Sequence, residues 1–147
     1  MGTKELKNNK LCAFCASEYH LEMILLPFIK ERIDIENFII ISQTNLEPSL
    51  KTLLKRVNIE DKTKQKIKQL NWKDKNIDNL NIFFEDMEKI NVIINGDLSY
   101  IKNANNYLEN NTDKKLTIID CFHVENINVD IERFSKDYKA ILNTRKI

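Results

Sequence analysis

Four short stretches of the chain are apolar on both faces, and the segments between them repeat apolar residues at helical spacing. Lys10–Ala16 (KLCAFCA), Asn37–Ser42 (NFIIIS), Ile90–Asn95 (INVIIN) and Leu116–Phe122 (LTIIDCF) carry the pattern of strands buried between helices. After the first, Ser17 offers an N-cap and Glu18 a first-turn acid. Leu21, Ile24, Leu25, Phe28, Ile29 and Ile33 then follow on one helix, with Pro27 inside it. After the second stretch, Leu46, Leu50, Leu53, Leu54 and Val57 mark one helix. Asn58 and Asp61 open another, lined by Ile59, Ile67 and Leu70, and Ile77, Leu80, Phe83, Phe84 and Met87 predict a third. Ile101, Ala104, Tyr107 and Leu108 follow the third strand; Ile131, Phe134, Tyr138, Ile141 and Leu142 predict a closing helix.

Strands separated by helices pair in parallel through crossovers. The expected architecture is a three-layer α/β/α sandwich around a four-stranded parallel sheet in the order 2-1-3-4, Rossmann-like or flavodoxin-like. It occupies residues 10–147 as one domain, behind a flexible N-terminus of residues 1–9. Such sheets bind ligands beyond the C-terminal strand ends, where successive connections leave to opposite faces. In this order that point falls between the first and third strands.

Composition changes the picture mainly by exclusion. Of two glycines, only Gly96 lies within the body of the fold, so G-x-G-x-x-G, G-x-x-x-x-G-K-[ST] and G-x-S-x-G are all absent. A standard dinucleotide site, a P-loop and a hydrolase elbow are therefore disfavoured, and no cofactor is expected. The net charge of +1 gives no bulk attraction for nucleic acid or membrane. The Lys62–Lys75 run contains Trp72 but no arginine, and reads as a solvated helix face. An odd set of cysteines (Cys12, Cys15, Cys121) and a polar start without an apolar leader predict a reducing, cytoplasmic setting.

Candidate chemistry gathers at the strand C-termini. Ser17, Glu18, Ser42, Asn95, Gly96, Asp97 and Ser99 are the expected ligand-binding residues, with Gln43 and Thr44 at the rim. Gly96 is expected to need positive φ or a close approach, and the following helix N-terminus is expected to offer donors to an anionic or polar group. His20 with Asp97 is the candidate acid–base pair, and His123 follows the last strand. Cys12 and Cys15 lie three apart on a strand and so point to opposite faces, which argues against a shared disulfide or metal. Cys15 precedes a helix start, but the phosphatase spacing C-x₅-R would need arginine where Leu21 stands. Zinc held by Cys15, His20, Cys121 and His123 has suitable ligand types without a known spacing, and no metal site is expected.

The architecture resembles receiver-like and flavodoxin-like domains. A receiver needs an acidic pair after its first strand, where this chain has Cys15, Ala16 and Ser17. The resemblance is therefore architectural and implies no activity. The leading expectation is a non-catalytic regulatory or adaptor domain binding a protein partner or small polar ligand at this edge. The alternatives are a small hydrolase or transferase using His20 and Asp97, and a thiol or metal-binding protein using Cys15 and Cys121. Apolar surplus at Leu80, Phe83, Phe84 and Met87 predicts a homodimer.

Overall fold

Five parallel strands organise the chain: β1 (Asn9–Cys15), β2 (Asn37–Ser42), β3 (Ile90–Asn95), β4 (Leu116–His123) and β5 (Ala140–Leu142). The computed structural model describes residues 8–126 and 135–142. Among these residues the α-helices are α1 (Glu18–Arg32), α2 (Glu47–Arg56), α3 (Asp61–Gln69) and α4 (Leu98–Asn111). None is long and apolar enough to cross a membrane.

The parallel α/β class agrees with the sequence pattern, but the order does not. The sheet runs β2-β3-β4-β1-β5 rather than 2-1-3-4. β1 lies beside β4 with Cys15 opposite His123, and Asn95 of β3 lies between Ser42 of β2 and Cys121 of β4. The first crossover thus skips two strands. Helix α1 has 15 residues, about 22 Å of rise, whereas passing two strands needs roughly 14 Å of lateral travel. Its length therefore permits either a neighbouring or a distant return.

Two further expectations change. Residues Ile77–Met87 form one 3-10 turn (Ile77–Asn79) and then irregular chain, not a third helix. Asn76 explains the start, because its side chain accepts the Asp78 N–H and favours a local turn. The expected closing helix ends instead in β5, where Ile141 and Leu142 pair with Cys12 and Ala13. Ile131 and Phe134 lie outside the described residues.

Side chains alternate strictly across the sheet. One face sets Ala13, Cys15, Ile40, Ile93, Ile119 and Cys121 against α1, α2 and α3. The other sets Cys12, Ile41, Val92, Ile94, Ile118 and Phe122 against α4 and Phe84. Trp72 is buried on the first side and donates its indole N–H to Ile67 O at 2.8 Å, so it is core and no stacking platform. Leu80 and Met87 pack partly buried on the second side. Phe83 alone of the expected apolar surplus is strongly exposed, at 74%.

Polar groups cover the β2 edge of the sheet and buttress its interior strands. Past Trp72 the chain runs beside β2. The Lys75 N–H donates to Ser42 O at 2.8 Å, and the Lys75 ammonium meets Ile40 O. Cationic cover of this kind blocks pairing at an edge strand. In the middle of the sheet, on β4, buried Asp120 accepts Lys10 Nζ at 2.6 Å, Tyr138 OH at 2.7 Å and Asn105 Nδ2 at 3.0 Å. One carboxylate thereby ties β1, β4, α4 and the approach to β5 together.

Candidate functional site

The strand order moves the site's neighbours. The connection after β2 enters α2 and α3 on one face, while that after β3 enters α4 on the other. The crevice position of an open parallel sheet therefore falls between β2 and β3, not between β1 and β3. Gln43 and Asp97 meet there. Gln43 Nε2 donates to Asp97 Oδ2 at 3.1 Å, and the Asp97 N–H donates to Gln43 Oε1 at 2.8 Å.

Sheet register puts Cys15, Ser42, Asn95 and His123 on the α1 side, at the last turn of four different strands. Their hydrogen bonds form one directed chain. Ser42 Oγ donates to Thr44 O at 2.6 Å, so it can only accept from Asn95 Nδ2, at 3.0 Å. That choice turns Asn95 Oδ1 toward His123 Nε2, 2.8 Å away, which must then be the protonated ring nitrogen. In the neutral ring Nδ1 keeps a lone pair 3.5 Å from the Cys15 sulfur, whose thiol also has Phe122 O as an acceptor at 3.5 Å. At the other end Asn95 Nδ2 reaches Thr44 Oγ1 at 3.4 Å, and Thr44 donates to Glu18 Oε2 at 2.7 Å. A single line of donors and acceptors joins β1, β4, β3, the turn after β2, and α1.

The two helix N-termini beside this line are already capped. Ser17 Oγ accepts the His20 N–H at 3.1 Å, and His20 Nδ1 accepts the Ala16 N–H at 3.0 Å. Asp97 Oδ1 accepts the Tyr100 N–H at 2.8 Å. The Tyr100 and Gln43 bonds, with the Ser99 N–H, hold the Asp97 carboxyl below the usual range. Both caps were legible as residue types, yet each helix end is filled by its own side chain. His20 and Asp97, the expected acid–base pair, are engaged in separate caps and make no hydrogen bond to one another among the described residues.

Gly96 has no positive φ. Close approach is what requires it: an added Cβ would stand 2.6 Å from Tyr100 Cδ2 and 2.9 Å from Gln43 Oε1. The approaching groups belong to the chain itself. Tyr100 is held there by its hydroxyl, which donates to Lys75 O at 2.8 Å.

Cys12, Cys15 and Cys121 are buried free thiols. Cys12 sits on the α4 side and Cys15 on the α1 side, as strand alternation requires. Burial pushes Cys15 up to about 12. Among the described residues no group of three or more His, Cys, Asp or Glu side chains could hold a metal ion. Sequence reasoning missed Glu22, which lies fully buried on α1 with neither carboxylate oxygen hydrogen-bonded. Its only signal was a charge inside the apolar run Leu21–Leu26.

Fold and edge together define a parallel α/β protein with a continuous polar network at the C-terminal ends of its strands. Neither a protein family, nor a curated protein, nor a solved structure matches the chain.

Proposed function

We propose that the C-terminal edge around the β2–β3 crevice recognises a small polar ligand or partner group that donates hydrogen bonds, such as an ammonium or hydroxyl. A regulatory or adaptor role follows from recognition of this kind. The observation that carries the reading is the capping of both helix N-termini by the chain's own side chains. With one first-turn N–H of α1 held by Ser17 and one of α4 held by Asp97, the charged side chains at the rim are acceptors: the exposed Asp97 carboxylate and the partly exposed Glu18 carboxylate, flanked by Gln43 and Thr44. Acceptors on strand ends fixed by the Asn95 network are pre-organised, which lowers the ordering cost of binding.

Thermal-shift and calorimetric titrations test this with putrescine, ethanolamine and glycerol against phosphate and citrate. Stabilisation by the donor set is expected, and its loss in Asp97→Asn and Glu18→Gln, both of which retain the local hydrogen-bonding shape. Stabilisation by the anions alone would reverse the assignment. Support for a homodimer reduces to exposed Phe83. Light scattering of the wild type against Phe83→Ser decides it: a mass that halves in the variant marks the interface.

A further inference from the structure

The directed hydrogen bonds from Cys15 to Asn95 have a second consequence, which goes beyond recognition. We propose that Cys15, His123 and Asn95 form a nucleophilic site for acyl transfer from an activated ester or thioester. The argument is one of roles and geometry. A thiol nucleophile needs a base within hydrogen-bond reach, and that base needs a third group to hold its tautomer. Here the Cys15 thiol is 3.5 Å from His123 Nδ1, and His123 Nε2 is 2.8 Å from Asn95 Oδ1. Asn95 is itself oriented by Ser42, whose hydroxyl is committed to Thr44 O, so the lone pair on Nδ1 faces the sulfur by necessity. Three strands supply the three groups on one face of the sheet: Cys15 is level with His123, and Asn95 is level with Cys121, two residues earlier on β4. The N-terminus of α1 starts just beyond the thiol, where its dipole favours negative charge developing on sulfur or on an acyl oxygen.

The step balances without an oxidant or a metal. His123 Nδ1 takes the thiol proton as sulfur attacks the acyl carbon. The C–S bond forms, the bond to the leaving oxygen or sulfur breaks, and the imidazolium returns the proton to the leaving group. Water activated by the same nitrogen then cleaves the acyl-thiol, releasing the acid and restoring Cys15. The resting sulfur is a covered, neutral thiol, so activation comes from proton removal during attack, not from a standing thiolate. Ala16 and Ser17, the next residues along the chain, are exposed, while Cys15 itself is fully buried.

The other two cysteines make the test internal. Cys12, Cys15 and Cys121 are all 0% exposed, so global unfolding would release the three together. With the full-length folded protein and limiting iodoacetamide, peptide mass spectrometry should find Cys15 alkylated roughly 10-fold or more ahead of both others, since only it has an adjacent base. With p-nitrophenyl acetate, a burst of p-nitrophenolate should leave an acetyl group on the Cys15 peptide. His123→Gln, checked for folding by its urea transition, should slow acylation about 100-fold, the scale of a lost general base. Equal labelling of the three cysteines overturns the proposal. So does selective Cys15 alkylation without an acetyl adduct, or an undiminished burst in Cys15→Ala. None of these readouts depends on which ligand occupies the β2–β3 crevice.

Discussion

Replacing Glu22 by glutamine should stabilise the protein above neutral pH and leave it nearly unchanged in mild acid. Glu22 lies between α1 and α2, fully buried, with both carboxylate oxygens unbonded. Its neighbours are Ser49, whose hydroxyl donates to Leu46 O at 3.2 Å, and Glu18 one turn earlier. Burial raises its carboxyl from 4.5 to about 7, with Ser49 opposing the rise and Glu18 adding to it. The folded value exceeds the unfolded one. The stability linked to this group is therefore fully present below about 4.5 and is lost as pH rises through about 7. A shift of that size corresponds to about 3 kcal/mol at roughly 1.4 kcal/mol per pH unit, and local water entry would reduce it toward about 2. Glutamine keeps the shape but never ionises, so the variant should not show this loss. Urea unfolding followed by fluorescence of the single tryptophan, buried Trp72, reads the difference directly. The expected result is Glu22→Gln ahead of wild type by about 2–3 kcal/mol at about pH 8.5, and within about 0.5 kcal/mol of it at about pH 4. A difference independent of pH, or a variant weaker at both values, would refute the reasoning.

Other outcomes follow from the same contacts. Asp120→Ala removes the carboxylate shared by Lys10, Tyr138 and Asn105, and should cost about 3–5 kcal/mol in urea unfolding, because a half-buried ammonium loses its counter-charge. Tyr138→Phe breaks only one of those bonds and should cost about 1–2 kcal/mol. Gly96→Ala forces a methyl group against the Tyr100 ring and should cost about 1–3 kcal/mol through overpacking alone. Combined with Tyr100→Ala it should cost clearly less than the sum of the single changes, and strict additivity would show that the contact is not the cause.

Much of the local structure was written in the residues. Ser17 and Asp97 cap α1 and α4 because their short oxygens reach the free N–H groups, a consequence of side-chain length alone. The both-face apolar runs became strands, and Cys12 and Cys15 point apart because alternation on a strand leaves no choice. The expected helix over Ile77–Met87 failed because Asn76 at its start holds a local turn, while Ile77, Leu80, Phe84 and Met87 still packed on the sheet and only Phe83 of the expected set stayed exposed. The short strand β5 was hidden because three residues are too few to display a period.

What the sequence determined by itself was the class of fold and the residue types at the end of each strand. Strand order was a tertiary decision. Each strand is apolar on both faces, so the pattern does not distinguish a central position from an edge one, and a helix as long as α1 returns equally to the adjacent strand position or, past two strands, to the third. The candidate site depended on that decision. With β3 placed beside β1, Cys15 and His123 would stand apart. With β4 there, they share a register position, and Asn95 on the next strand completes the line.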